Sequence, residues 1–543
     1  MQKLVFMIIG ELGIGSCCWT NIGYLKAVLD QLPHFVETAV EFCDIVSLEQ
    51  KVKKVIKEGY KYYCFSVLQY NYLDCLQYTK EIKSLYPEAV CIWGNLQAVS
   101  NAQYIMKNHL EVDFITIGEG ELTLAELVKR LVEGADLSLC RGIYYRQEGH
   151  VVFTGRRELI SDLDSLPFPD RSFIPIKYRN PIYMLQIPVF ASRGCMGTCT
   201  FCDAKVISTD SSGKSCVRTR SISNVISELR IIRKDFQNPC VYFMDSTFSP
   251  NSKDAYIRLE ELYHEIKESD IALHFFMNMR AEQFNDRFVV SLKKLQKVGL
   301  KYLFVGFESG NADDLKLYGK RATLEDNRNA LNYLKKFGFL DIRSSFGFDF
   351  GFINFNPYST IRTLRKNFEF LTEDGLPTTI YHLTSALRIT SSSPISKIIY
   401  KDGLLIGDPD LPITDPYAYM YQDLDIFHIL EVLRKIADQI AFRDYYREID
   451  YYSIYQHYSQ EYEDRYLKYK GALFDYMHVN KERILWIYQM ILDCTEVGKE
   501  MPMELEEQVV ELTQYNMEQS DKLNRLIRWM NHFILREKTQ IRK

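Results

Sequence analysis

Three cysteines stand at C-x3-C-x2-C spacing in the stretch Ser192-Arg193-Gly194-Cys195-Met196-Gly197-Thr198-Cys199-Thr200-Phe201-Cys202, directly after an apolar run from Tyr183 to Ala191. That run reads as a strand, so the cysteines occupy a loop at its carboxyl end. Thiolates are soft ligands, and three in so short a loop suit one compact centre. A four-iron cube held by three cysteines keeps one iron open to a further ligand. Zinc is the main competing reading, but no histidine or fourth cysteine lies at ligand spacing, Cys216 coming well down the chain. A disulfide is disfavoured: the 13 cysteines are odd in number, most of the others lie in strand-like apolar runs, and no secretory signal is read.

The length, 543 residues, calls for three or four domains. Net charge is −5 with no long basic run, which disfavours a nucleic-acid partner. The longest apolar stretches are strand-sized, short of the roughly 18 residues of a membrane span. A reducing, cytoplasmic setting is the expectation.

Residues 1–140 alternate strands and helices. Leu4 to Ile9, Tyr62 to Leu68, Val90 to Gly94 and Phe114 to Ile117 are apolar runs of the kind found in strands buried on both faces. Helical periodicity falls between them, at Ile22 to Leu32, Tyr72 to Leu85 and Leu122 to Leu131. This is a doubly wound, Rossmann-like α/β domain, in which ligands sit beyond the carboxyl ends of the strands. Gly10-x-x-Gly13-x-Gly15 is by itself a weak nucleotide signal. Residues 141–182 read as a hairpin around Glu148-Gly149 and then a proline-marked linker, Leu166-Pro167-Phe168-Pro169 with Pro175 and Pro181.

From 183 to 403 the alternation continues in longer units. Six strands are expected, at 183–191, 240–244, 272–279, 302–307, 344–353 and 379–387, which makes a partial (β/α)6 barrel with its site at the carboxyl ends. Residues 404–543 read as a helical domain. Its tyrosines 455, 458, 462, 466, 469 and 476 step by three or four with Leu473, a stripe better suited to packing than to binding.

The cysteine spacing, with Phe201 before the last cysteine, resembles the radical S-adenosylmethionine (SAM) enzymes. The resemblance implies a [4Fe-4S] cluster on Cys195, Cys199 and Cys202, whose open iron holds SAM for cleavage to a 5′-deoxyadenosyl radical. It also implies SAM contacts from Phe201, from Asp245 and Ser246 after the second strand, and from Arg280 ending the third. Glu308 and Ser309 belong to a Gly-x-Glu-Ser-Gly segment ending the fourth strand, and Gly347 lies on the fifth; both are carried over as SAM contacts. Asn354-Phe355-Asn356-Pro357 stands where the family has a Pro-Gly turn.

The N-terminal half is similar to the cobalamin-binding domain that precedes many radical SAM cores. Its most specific item is Gly118-Glu119-Gly120-Glu121 after Asp113-Phe114-Ile115-Thr116-Ile117. Carried over as corrin contacts are Ser66, Gly94, Asn95, Gly118, Glu119 and Gly120. The Asp-x-His-x-x-Gly segment that gives cobalt a histidine in other cobalamin proteins is absent, and Trp93-Gly94-Asn95 replaces the usual double glycine. Cys494 is the only cysteine beyond 240, which excludes a second, C-terminal cluster domain.

What the resemblance implies is a cobalamin-type radical SAM methyltransferase acting on an unactivated carbon of a small-molecule or peptide substrate, with an electron donor such as flavodoxin or ferredoxin. Two alternatives stay open: a radical SAM enzyme that rearranges or oxidises its substrate without methyl transfer, and a non-catalytic cobalamin or metal sensor.

Overall fold

The computed structural model describes residues 2–10, 19–175, 186–210, 212–213, 216–236, 239–246, 248–249, 254–269, 271–341, 346–373, 375–412, 415–443 and 459–541. Gly13, Gly15, Pro181, Thr247, Tyr455 and Tyr458, together with the first residues of the runs at 183 and 344, lie outside them.

The N-terminal sheet is built from β1 (Gln2–Ile9), β2 (Val36–Cys43), β3 (Tyr62–Ser66), β4 (Val90–Gly94), β5 (Phe114–Thr116), β6 (Ile143–Gln147) and β7 (His150–Phe153), in the order β2-β1-β3-β4-β5-β6-β7. β1 to β5 are parallel. The centre strand β1 is buried on both faces from Leu4 onward, as its unbroken apolar run demands. The chain reverses direction across the sheet between β1 and β3, the place where this topology opens a ligand crevice.

Two differences from the sequence reading stand out here. β2 was not expected, because Glu37 and Glu41 interrupt its apolar pattern; it is a half-exposed edge strand, where charge is tolerated and blunts the edge. The hairpin at 142–155 does not belong to the linker. Its first strand pairs antiparallel with β5, Ile115 opposite Tyr144, and buries Ile143 and Tyr145, so the N-terminal domain runs past 140.

The second sheet holds β8 (Gln186–Val189), β11 (Cys240–Phe243), β12 (His274–Arg280), β13 (Leu300–Glu308) and β14 (Gly347–Phe352), all parallel, in the order β14-β13-β12-β11-β8. A small antiparallel ribbon of β9 (Ser192–Arg193) and β10 (Arg218–Thr219) flanks the cysteine loop. The sixth expected strand is a correction. Thr379 and His382 form a capping box that turns Ile380–Thr384 into a helical turn, leaving one parallel bridge, Phe355 to Ala386. His382 closes the free edge of β14 instead, stacked on Phe350 at 4.1 Å with its Nε2 3.2 Å from Asp349 Oδ1.

Helices Gln460–Glu496 and Met503–Ile541 form a long antiparallel pair: Tyr462 meets Phe533, and Asn480 exchanges amide hydrogen bonds with Asn516 at 2.8 and 3.0 Å. Tyr462, Tyr466, Tyr469 and Tyr476 are buried along it, which makes the stripe packing. The pair meets the barrel where Tyr488 OH accepts a hydrogen bond from Asn354 Nδ2 at 3.0 Å. Among the described residues no helix is long and apolar enough to cross a membrane.

Candidate functional site

The cysteine loop leaves β9 through Gly194, whose φ is +90° and whose Cβ, were there one, would lie 2.1 Å from the carbonyl oxygen of Cys216. Only glycine turns the chain there. The loop is then tied down far along the sequence. Thr198 Oγ1 donates to Gly319 O at 2.8 Å, Thr200 Oγ1 to Leu317 O at 2.9 Å, and Thr200 N–H to Tyr318 O at 2.8 Å. Phe201 packs edge-on against Tyr318, ring centres 5.6 Å apart, on an apolar cluster that includes Leu387, Ile389 and Tyr417.

Cys195, Cys199 and Cys202 are free and partly accessible, as is Cys216, whereas the other described cysteines are buried. Backbone N–H groups aim at two of the sulfurs, from Gly197 to Cys195 Sγ at 3.2 Å and from Ala204 to Cys202 Sγ at 3.5 Å. Burial raises the Cys199 thiol to about 11 against the opposing pull of Lys320, and burial raises Cys202 against the Ala204 N–H. No group of three or more His, Cys, Asp or Glu among the described residues is gathered closely enough for a single metal ion. Three free thiols, two of them approached by backbone amides, are a donor set that fits a cluster.

Glu308 closes the site from β13. It sits at φ +67° where the β13–β14 register shifts, and its carboxylate folds back over two glycines. A Cβ on Gly306 would lie 2.5 Å from Glu308 Oε1, and one on Gly351 would lie 3.1 Å from Oε2. Lys320 Nζ holds Oε1 at 3.0 Å; the ammonium is buried, yet Glu308 and Cys199 keep it charged, raising its pKa against the cost of burial. Arg280 ends β12 directly beside Gly306 and pairs with Glu282 at 3.2 Å. Ser246 follows β11, exposed, its carbonyl 4.0 Å from Cys195 Sγ. The barrel edge thus brings together the three cysteines, Ser246, Arg280 and Glu308.

Three expected SAM contacts are placed otherwise. Asp245 is buried beneath the loop, accepting from Ser192 Oγ at 2.5 Å and Ala191 N–H at 3.3 Å; burial raises its pKa to about 6, against those hydrogen bonds. It supports the loop from behind. Ser309 is fully buried, its hydroxyl bonded to Asp314 and Asn367. Gly347 begins β14 opposite Tyr302, about 13 Å of extended chain before Gly351, at the end of the strand away from the cysteines. Lys320 and Tyr318 are site residues that sequence reasoning missed, since they come from a turn with no motif of its own.

At the N-terminal edge, Ser66 Oγ accepts from Asn95 Nδ2 at 2.9 Å and Asn21 Nδ2 at 3.1 Å, while Gly94 faces Thr116 Oγ1 so closely that a Cβ would come within 2.7 Å. Asn95, at φ 76°, caps the helix Leu96–Ser100, and Gly118, at φ +83°, fronts open space. Two of the expected contacts lie in packed surroundings. A Cβ on Gly120 would meet Leu25 Cδ2 at 3.0 Å, so that glycine serves helix packing. Glu119 is buried under two arginines, Arg218 at 2.8 Å and Arg193 at 3.1 Å, and accepts from Ile160 N–H at 2.8 Å. Helix Leu96–Ser100 packs on the helix Ala204–Ile207 that follows the third cysteine, and Asn101 bonds Ser391 at 3.2 Å. The two strand-end edges therefore face each other.

The description "Radical SAM superfamily" matches residues 189–365. The chain carries a radical SAM domain. The cysteine loop and strands β11 to β14 fall within that span, with β8 at its edge, and the match implies a [4Fe-4S] cluster and SAM. An uncharacterized methyltransferase of Pyrococcus horikoshii is 28% identical over 266 residues, 49% of this chain and 55% of that protein. The anaerobic magnesium-protoporphyrin IX monomethyl ester cyclase of Rubrivivax gelatinosus is 28% identical over 273 residues, 48% of this chain and 46% of that protein. The hopanoid C-3 methylase of Methylococcus capsulatus is 26% identical over 294 residues, 51% and 50% respectively. The matches span about half the length of these relatives. Among solved structures, the cobalamin-dependent radical SAM enzyme OxsB with aqua-cobalamin and SAM bound superposes with a TM-score of 0.70 at 18% identity, over 96% of this chain and 80% of that one. The radical SAM methyltransferase TsrM of Kitasatospora setae gives 0.61 at 15% identity, over 81% and 89%. At these identities the likeness is one of fold. The radical SAM domain here has an N-terminal Rossmann-like sheet before it and a helical region after it, as the sequence reading expected.

Proposed function

We propose that the chain is a cobalamin-using radical SAM methyltransferase whose corrin lies between the two facing edges. The observation that supports this most is the juxtaposition itself: Ser66, Gly94, Asn95 and Gly118 end their strands toward the barrel face that carries Cys195, Cys199, Cys202 and Glu308. The TsrM and OxsB folds and the names of the hopanoid methylase and the P. horikoshii methyltransferase point the same way.

With its groups bound, such a site supplies an electron to cleave SAM and a corrin-borne methyl group for the substrate. The chain's part is to hold and orient. Cys195, Cys199 and Cys202 ligate the cluster, and the amides of Gly197 and Ala204 stabilise the thiolates. Glu308 accepts from ribose hydroxyls over the glycine floor of Gly306 and Gly351, while Lys320 fixes its carboxylate. Ser246 and Arg280 border the same cup, and Phe201 backs the loop against Tyr318. A corrin bound here would be held by Ser66, Gly94, Asn95 and Gly118, the sequence offering no Asp-x-His-x-x-Gly segment. All 11 described cysteines are free, which suits a reducing, cytoplasmic compartment with a flavodoxin- or ferredoxin-like donor.

A second reading is oxidation or rearrangement without methyl transfer, favoured by the match to the R. gelatinosus cyclase. Anaerobic reconstitution with iron, sulfide and hydroxocobalamin, followed by reductant and SAM, separates the two. Methyl transfer to the reduced corrin yields S-adenosylhomocysteine beside 5′-deoxyadenosine. Formation of 5′-deoxyadenosine alone overturns the methyltransferase reading, and formation of neither overturns both.

A further inference from the structure

The Gly-Glu-Gly-Glu turn is the junction between the two edges. Glu119 receives Arg218 Nη1 at 2.8 Å, Arg218 Nη2 at 3.0 Å and Arg193 Nη1 at 3.1 Å; Glu121 receives Arg193 Nη2 at 2.6 Å. Arg193 also lies over the Tyr24 ring, 5.2 Å from its centre. The four charged side chains expose between 6 and 18% of their surface. Arg193 and Arg218 face each other across the β9–β10 ribbon, and Arg193 stands immediately before Gly194-Cys195.

The backbone leading into that ribbon is held by three more arginines. Arg171 reaches Pro188 O at 3.1 Å, Arg220 reaches Phe190 O at 3.0 Å, and Arg258 reaches Ala191 O at 3.1 Å. Arg171 and Arg220 share the buried carboxylate of Glu228. The second sheet and the linker thus hold the entry to the cysteine loop, and among the described residues Glu119 and Glu121 bring the N-terminal sheet to it as ion-pair partners. Buried ion pairs of this kind are better suited to fixing a geometry than to adding stability.

We propose that Glu119 and Glu121, through Arg193 and Arg218, are positioning residues that set the cysteine loop at a fixed distance from the strand ends of the N-terminal sheet. Both carboxylates are taken up by these arginines. The functional part of this claim rests on the methyltransferase reading, because only a reaction that uses both edges depends on their separation. The structural part does not.

The test uses the full-length, reconstituted protein. Glu119→Gln keeps the shape and removes the charge; Glu119→Gln with Arg218→Met removes both partners, so that no lone charge is left buried. Three readouts are taken: hydrogen exchange in the peptide covering 192–203, 5′-deoxyadenosine formed from SAM without substrate, and S-adenosylhomocysteine formed with added hydroxocobalamin under reductant. Iron content and 5′-deoxyadenosine should stay within about twofold of wild type. Exchange in the cysteine loop should quicken by about tenfold or more, because a local opening has lost its latch. S-adenosylhomocysteine should fall by about tenfold or more, as a misplaced reacting centre requires. The double variant should be no worse than Glu119→Gln alone. Unchanged exchange in 192–203 in a folded variant overturns the latch. A parallel fall of both SAM products overturns the positioning role, since the cysteine site itself would then have been damaged. Should the wild type form no S-adenosylhomocysteine, the methyltransferase reading fails, and the exchange measurement still decides the latch.

Discussion

Glu119 and Glu308 are two glutamates in nearly the same local setting, each at the carboxyl end of a parallel strand and flanked by glycines, in Gly118-Glu119-Gly120 and Gly306-Phe307-Glu308-Ser309-Gly310. Their uses differ. Glu119 gives both oxygens to arginines and a third bond to the Ile160 amide, with its side chain 6% exposed. Glu308 gives one oxygen to Lys320 and lays the other over Gly351, with its side chain 14% exposed. Burial opposes the charge on Glu119, but Arg218 and Arg193 outweigh it and hold the carboxyl below its ordinary range. What separates a joint from a ligand contact is therefore the partner, and the partner of Glu119 comes from the far side of a domain boundary.

The largest effect belongs to the cysteines. Replacing Cys195, Cys199 and Cys202 together by Ala should abolish iron binding and all 5′-deoxyadenosine formation, as measured by iron analysis and chromatography. Iron retained at the wild-type level would place the cluster elsewhere. Next comes Glu119→Ala, which leaves the buried Arg218 without a carboxylate and Arg193 with Glu121 alone. Loss of one partner from a buried pair costs about 3–5 kcal/mol, so the denaturant midpoint should fall sharply. A loss below about 1 kcal/mol, the range of exposed pairs, would mean that water reaches the joint and that the contrast with Glu308 is false.

Much of this comparison could be read from the chain, and the rest could not for definite reasons. Parallel strands buried on both faces announce themselves as apolar runs, so β1, β3, β4 and β5 were expected, and the cysteine loop was located by its spacing. β2 was hidden because an edge strand tolerates Glu37 and Glu41. The run at 379–387 is apolar enough for a strand, but the Thr379–His382 capping box diverts it. Gly347 was assigned to the right strand and the wrong end, since a site at the carboxyl edge depends on where the strand starts. The role of Glu119 depends on Arg193 and Arg218, which no local pattern links to residue 119. Lys320 reaches Glu308 only because the turn at Gly319, φ +59°, returns the chain against Thr198.

Glu308→Ala sharpens the comparison from the other side. It removes an acceptor from the open cup and breaks no joint between domains. SAM affinity should weaken by about 1–3 kcal/mol with cluster content retained, while the buried Lys320, left without its partner, also costs stability. Equilibrium dialysis with SAM on the reconstituted protein checks this. If Glu308→Ala lost stability while SAM bound unchanged, Glu308 would be only a structural partner of Lys320 and the ribose contact would lie elsewhere.

The smallest effect is expected at Gly118, and it asks whether that glycine serves the backbone or a ligand. Its φ of +83° is one an L side chain resists, yet a Cβ there would meet no atom of the protein within 4 Å. Alanine should cost about 1–2 kcal/mol from conformation alone. Asparagine tolerates the left-handed region better, so Gly118→Asn should restore most of that stability while adding a larger side chain in front of the strand end. If the open space holds a flat macrocycle, Gly118→Asn should still lose corrin on gel filtration after reconstitution with hydroxocobalamin, although it is more stable than Gly118→Ala. Corrin absorbance retained in Gly118→Asn at the wild-type level would show that the glycine is there for its backbone alone. The corrin would then have to rest on the Ser66, Gly94 and Asn95 side of the edge, away from the turn that Glu119 and Glu121 hold.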